Sequence, residues 1–357
     1  MSKTERLNKL RERFTRFDAF ITSKPVNLRY LVDFKGSDSI LLVTRNKVQL
    51  YVNEMYYEQA QKDCTGIDII TVDRSWIELL NKDLKKEKIK RLAFESDIDF
   101  STYRKLNSFL NGIELIPVED LVESVRAVKD EEEIGFIRKA AEIADLAFMH
   151  LKTLIKPGIK EQDLVAEFDY FVRKRGAKVS FEPIILYGES SSLPHGISGA
   201  REVKSGGILL LDYGAMYNGY CSDATRTFYL GKPSKEYLKL YNIVLKAQEE
   251  AESAIRPGVS AGEIDRIARD VITREGFGDK FIHSTGHGVG LEIHEYPRLY
   301  WGNNVILEKG MVITVEPGIY IKDSGGIRIE DLVVVTDDGG EIITRISKDF
   351  EFRGGNI

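Results

Sequence analysis

A chain of 357 residues, 43% of them hydrophobic, has the length and apolar content for about two domains with full cores. Charged residues make up 30%, but the two signs nearly cancel to a formal net charge of -5, which argues against a nucleic-acid binder with its basic face. Cys64 and Cys221 are too few for a disulfide framework and fit a reducing compartment. The start, Met1 to Arg6, is charged and lacks the apolar core of a signal peptide. No apolar run approaches the roughly eighteen residues of a membrane helix. The expectation is a soluble cytoplasmic protein with neither nucleic-acid nor membrane partners.

The first third alternates β-rich runs with helical stretches. Strands are expected at Ala19 to Thr22, Ser39 to Thr44, Val48 to Val52, Ile67 to Val72 and Arg91 to Phe94, and helices at Thr4 to Arg16 and Trp76 to Lys86. This pattern predicts a small α/β domain over residues 1–125. The run Arg126 to Glu133 reads as a charged break, and residues 126–357 as a second domain. That domain opens with a long helix whose apolar stripe runs through Ile134, Ile137, Ala141, Ala144, Phe148, Leu151 and Ile155.

Further on, a weak repeat appears. Lys156-Pro157-Gly158-Ile159 recurs as Arg256-Pro257-Gly258-Val259, Leu164 matches Ile264 and Gly176 matches Gly276, all at an offset of 100 residues. In both copies a helix ends at Pro-Gly, and a second amphipathic helix then runs to a glycine. The simplest reading is two related α+β halves with a site where they meet.

The residues with chemistry fall in these halves. Asn218-Gly219 between two β-rich runs is a strong hairpin signal. With those two residues as the turn and no bulge, Tyr217 faces Tyr220 and Asp212 faces Thr225, so Asp223 points to the same face as Asp212. An isolated pair of this kind is more often solvated. Here, however, Asp212 follows four apolar residues, where a buried strand is expected, and two buried carboxylates repel unless a cation or shared proton lies between them.

Of the five histidines, His283, His287 and His294 crowd one short segment, and glycines flank His287 on both sides. His195 lies in a loop-like Leu-Pro-His-Gly context, and His150 in the long helix reads as structural or surface. Glu316 and Glu330 interrupt apolar β-rich runs, where burial is costly without a partner. Either could sit on a half-exposed strand. Four acids and an imidazole converging would be reconciled by metal, an oxygen-rich set suited to Mn, Co, Fe or Zn and numerous enough for two ions.

The segments Leu211-Asp212-Tyr213-Gly214, Ser222 to Thr227, Gly286-His287-Gly288-Val289-Gly290, Glu316-Pro317-Gly318 and Arg328-Ile329-Glu330-Asp331 together resemble, in order, the metallopeptidase family that includes methionine aminopeptidase, aminopeptidase P and prolidase. Asn27-Leu28-Arg29-Tyr30-Leu31 resembles a segment of the amino-terminal domain of prolidase and aminopeptidase P, which simple methionine aminopeptidases lack. The resemblance implies an α+β pita-bread catalytic domain with pseudo-twofold halves, preceded by a smaller α/β amino-terminal domain.

By the same resemblance, Asp212 chelates one divalent ion, His287 and Glu316 the other, and Asp223 and Glu330 bridge both. Glu316 doubles as proton carrier, and His195 and His294 contact substrate and the tetrahedral intermediate. His283 and Arg328 line the site, Arg328 organising the acids, and Arg298 is a candidate for holding a substrate carboxylate. Mn or Co is the expected metal, with Zn or Fe as alternatives, a small peptide the substrate and a homodimer the assembly. The implied activity is an Xaa-Pro dipeptidase, with an aminopeptidase P acting on longer peptides as the alternative. A metal-free creatinase or a non-catalytic binding module would be expected to lack ligand positions, and none is missing.

Overall fold

The computed structural model describes residues 1–73, 76–349 and 351, and the chain divides after Arg126 into two units, Met1–Arg126 and Ala127–Ile357. The first is built on one mixed sheet. Strands β1 (Ala19–Thr22), β2 (Ile40–Thr44), β3 (Val48–Asn53), β4 (Asp68–Val72), β5 (Arg91–Glu95) and β6 (Glu114–Val118) lie in the order β4-β3-β2-β1-β5-β6. Strand β2 runs antiparallel to β1 and β3, while the β3–β4, β1–β5 and β5–β6 pairs are parallel.

The expected strands are present with ends shifted by a residue. Helix α1 (Lys3–Glu12) stops short of Arg16, and Phe14 leaves it to pack on Phe17 with ring centroids 4.8 Å apart. Helices α2 (Pro25–Val32), α3 (Glu54–Asp63) and α5 (Phe100–Phe109) were not expected, whereas α4 (Trp76–Lys86) was. Strand β6, also unexpected, carries Pro117, which an edge strand tolerates because its missing N–H need not join a ladder.

The charged run at the domain junction is only partly solvated, with Glu131 and Glu132 exposed. Arg126, at the end of α6 (Glu123–Arg126), is buried and donates to Asn27 Oδ1 at 2.8 Å, and Lys129 and Glu133 are buried as well. Asp130 caps α7 (Glu131–Leu154) in a reciprocal capping box with Glu133. The stripe from Ile134 to Ile155 is buried throughout.

In the second unit, α8 (Glu161–Lys174) and α10 (Ala261–Arg274) have the same length at an offset of 100 residues, each preceded by a longer helix, α7 or α9 (Lys235–Ala254). Gly158 and Gly258 both take φ 91° in the intervening turns. Their N–H groups donate to equivalent partners, Val203 O and Leu307 O.

Strand β7 (Lys178–Val179) pairs with β10 (Ala215–Tyr217), which pairs with β11 (Tyr220–Cys221). Strands β8 (Ile184–Tyr187), β9 (Ile208–Tyr213) and β12 (Ala224–Tyr229) form the main sheet of the first half. The second half holds β13 (Gly286–Gly288), β14 (Glu295–Leu299), β15 (Val312–Val315), β18 (Asp331–Thr336) and β19 (Gly339–Ile342), beside a β16 (Gly318–Ile321) and β17 (Gly325–Arg328) ribbon. Each half has its own core: Phe148, Phe168, Leu209 and Leu211 in one, and Val244, Ile264, Ile313 and Val333 in the other.

Candidate active site

The hairpin forms in the expected register. Asn218 and Gly219 both have positive φ, 45° and 77°, as a tight two-residue turn between twisted strands demands. Tyr217 faces Tyr220 and Asp212 faces Thr225. Midway, the ribbon passes from one sheet to the other at Gly214, where a Cβ would run into the Ser222 carbonyl and Ser180 Oγ. Asp223 sits at this corner, just before β12.

The second half contributes the remaining groups from strand ends. His287 lies on β13, Glu316 directly follows β15, and Glu330 lies between β17 and β18. A bridge between Thr225 and Glu330 joins the two halves, with Glu330 N–H donating to Thr225 O at 3.1 Å and Thr225 Oγ1 donating to Glu330 Oε2 at 2.6 Å. Behind it, buried Arg226 donates to Asp331 at 2.6 Å.

These elements bring every candidate residue to one cavity of about 320 Å³: Asp212, Asp223, His287, Glu316 and Glu330, and also His195, His283, His294, Arg298 and Arg328. Asp223, His287 and Glu330 each offer a donor atom within 4.8 Å of the others. His287 Nδ1 faces its neighbour's carbonyl, Gly288 O, at 3.0 Å, which leaves Nε2 as the acceptor, 3.4 Å from Glu316 Oε1 and 3.6 Å from Asp223 Oδ2. Asp212 stands slightly apart. Its Oδ2 accepts from Arg328 at 2.5 Å, while Oδ1 is buried with no hydrogen-bond partner among the described residues.

The electrostatics of this set call for positive charge. Burial pushes the Asp223 and Glu330 carboxyls well up, and repulsion within the acid cluster adds to it. Burial also raises Asp212, against the pull of Arg328, and drives Glu316 up to about 8. Burial lowers His287 to about 3, so its imidazole is neutral and fit to be a ligand. An orphaned buried oxygen, a neutral histidine and mutually repelling carboxylates fit a divalent cation site.

Around the acids runs a second set of contacts. Arg328 Nε donates to Thr225 Oγ1 at 3.0 Å, and one of its terminal nitrogens donates to Tyr320 OH at 2.8 Å. Tyr320 OH lies 2.8 Å from His283 Nε2, whose Nδ1 faces Ser284 O at 2.8 Å. Thr225 was read only as the residue facing Asp212 and as part of a family segment, and Tyr320, which reads as an ordinary strand residue, went unrecognised in the sequence. So did Phe181, Ile184 and Ile293, which give the cavity an apolar wall. Arg298 lines the cavity with no side-chain partner among the described residues. His150 instead stacks on Phe171 at 4.8 Å.

The sequence profile of metallopeptidase family M24 matches residues 135–337, and that of the creatinase/prolidase N-terminal domain matches residues 6–128. The chain belongs to metallopeptidase family M24. A Xaa-Pro dipeptidase of Pyrococcus furiosus is 38% identical, over 93% of this chain and 94% of its own. The structure of a Xaa-Pro dipeptidase from Bacillus anthracis matches with a TM-score of 0.94 at 39% identity, over 98% of this chain and 99% of that one. That of an X-Pro aminopeptidase from Thermotoga maritima MSB8 matches with a TM-score of 0.86 at 37% identity, covering 95% and 99%.

The family and the two-domain pita-bread fold implied by the motifs are thus borne out. The chain is a metallopeptidase, and the M24 family works with divalent metal ions. Among the described residues no helix is long and apolar enough to cross a membrane.

Proposed function

We propose that this chain is a Xaa-Pro dipeptidase that hydrolyses dipeptides with carboxy-terminal proline. The observation that carries the reading is the convergence of four carboxylates and one neutral imidazole on a cavity that also presents an unpaired cation, Arg298. The dipeptidases from Pyrococcus furiosus and Bacillus anthracis support it. In this reading Asp212, Asp223, His287, Glu316 and Glu330 would together hold two divalent ions. The oxygen-rich set favours Mn or Co, with Zn or Fe as alternatives. When bound, two such cations supply a water acidified to act near neutral pH and a Lewis acid for the carbonyl.

The protein's own groups perform the rest. Glu316, buried at the cavity 3.4 Å from His287 Nε2, would take a proton from the nucleophile and return it to the leaving imino nitrogen. His195 and His294, both exposed at the cavity, donate to the oxygen that gains charge in the transition state. Arg328 holds Asp212 in place from one side and orients Tyr320 and His283 on the other. Phe181, Ile184 and Ile293 exclude water and pack apolar side chains.

Proline explains the need for a dedicated pocket, because an imide offers no N–H to an ordinary peptidase site. A dipeptide also carries a free carboxylate next to the scissile bond, which Arg298 pairs with, since both ring nitrogens of His283 are already engaged by Ser284 O and Tyr320 OH. We also infer a cytoplasmic homodimer; both cysteines are free and buried, as suits a reducing compartment.

A second reading, aminopeptidase action on longer peptides, is favoured by the likeness to the Thermotoga maritima enzyme. Comparing kcat/KM for Met-Pro and Met-Pro-Gly separates the two. The dipeptidase reading expects Met-Pro to be far the better substrate, because a longer peptide leaves the cation unpaired. Equal or faster use of Met-Pro-Gly transfers the assignment to the aminopeptidase.

A further inference from the structure

We infer that the buried Lys129–Glu295 ion pair is a positioning device that holds His294 against the metal site. The inference rests on the role given above to His294 and names the residues on which that role depends. Between β13 and β14 the chain reverses through Val289 to His294. The register shifts at this point, so that His287 faces Arg298 but the next residue, Gly288, already faces Glu295. The loop delivers His294 to a place where its ring meets that of His287 edge to face, with centroids 4.4 Å apart. Its own backbone contributes a single internal bond, Gly290 N–H to Glu292 O at 3.1 Å.

The Glu295 carboxylate closes this loop from inside. Its Oε1 accepts the Glu292 N–H at 3.1 Å, and its Oε2 accepts from Lys129 Nζ at 3.1 Å. The carboxylate packs so close to the backbone that a Cβ on Gly290 would lie 2.5 Å from Oε2. The Lys129 and Glu295 side chains are 1% and 3% exposed. Lys129 is in turn tied to the second half of the domain, through its N–H to Gly310 O at 2.9 Å and the Val128–Met311 bridge beside it, where the chain enters β15 on its way to Glu316.

The neighbouring residue pair repeats the arrangement on the other ligand-bearing segment. Tyr220 OH donates to Glu133 Oε1 at 2.7 Å, and Cys221 N–H donates to Gly290 O at 2.7 Å. The segment 129–133 therefore grips the loop bearing His294 and the hairpin bearing Asp223 at once. A buried ion pair adds little net stability over a well-packed apolar pair, and its distinctive property is direction. Here the direction fixed is that of the carboxylate on which the loop closes.

The test uses manganese-loaded protein and Met-Pro, reading kcat, KM, bound manganese and melting temperature for Lys129→Met, for the near-isosteric double variant Lys129→Met/Glu295→Gln, and for each combined with His294→Ala. The double variant carries no uncompensated buried charge, so it melts higher than Lys129→Met alone. Even so, kcat stays at least about tenfold below the parent, with KM within twofold and manganese content unchanged. In the His294→Ala background the same changes lower kcat less than twofold further, because the group they position is gone. Recovery of kcat together with melting temperature in the double variant would make the pair purely structural. An undiminished loss in the His294→Ala background, or loss of manganese, would also overturn the inference. Full activity in His294→Ala alone would instead count against the assigned role of His294.

Discussion

Each acid at the site is held against the preference of a buried carboxylate for its proton, and the neighbouring groups decide which can be relieved. Asp223 and Glu330 face other acids and no hydrogen-bonded cation, whereas Asp212 has Arg328. Asp223→Ala and Glu330→Ala should therefore lose both metal and turnover, measured together by metal analysis and Met-Pro hydrolysis. Near-normal turnover with two bound ions in either variant would remove that residue from the ligand set. His195→Ala and His294→Ala should behave differently, losing about a hundredfold in kcat, or roughly 2.7 kcal/mol of transition-state stabilisation, with metal content intact.

A residue of the first unit sets a pH dependence. Glu95, buried among Thr22 and Asn27 in the first unit, is pushed up to about 7 by burial from the usual 4.5. The folded state then holds a proton that the unfolded state has released, so stability falls as pH rises from about 4.5 through 7. The loss is about 3 kcal/mol at most. Melting followed between pH 5 and 8 should show this slope in the parent and a flatter one in Glu95→Gln; parallel slopes would contradict it.

At the level of elements, what could be read from the sequence followed the strength of each local rule. The Asn-Gly turn fixes its register because both central residues need positive φ, and the pairing of Asp212 with Thr225 follows by counting outward. The 24-residue α7 was legible from its apolar stripe, whereas the Asp130–Glu133 capping box at its start lay hidden in the charged run. The ten-residue α3 and α5 were not, because few of their residues are buried and their periodicity is correspondingly faint.

In the charged run from Arg126 to Glu133, the burial of Arg126, Lys129 and Glu133 could not be read, because their partners are ones only the folded chain supplies. Tyr320 reaches Arg328 from the other strand of the β16–β17 ribbon, a contact that no local pattern announces. Gly214, read only as part of a family motif, turns out to be required where the hairpin changes sheets. Gly214→Ala should cost about 1–3 kcal/mol from overpacking and weaken metal binding, because Asp212 and Asp223 flank that corner. An unchanged melting temperature with full metal affinity would contradict this.

Across the whole catalytic unit, the two halves repeat a helix pair on a sheet, and the proposed ligands lie on or beside strands where the halves meet at the Thr225–Glu330 bridge. Neither half carries the complete proposed set: Asp212 and Asp223 belong to the first, His287, Glu316 and Glu330 to the second. The repeat was visible in Pro-Gly turns 100 residues apart, but the meeting of the halves depends on pairings distant in sequence, such as Arg226 with Asp331. The most direct test of a dinuclear dipeptidase is Met-Pro hydrolysis during titration of chelator-stripped protein with manganese. The account predicts no hydrolysis without metal and full activity once two ions are bound per chain; hydrolysis at full rate by the metal-free protein would contradict it.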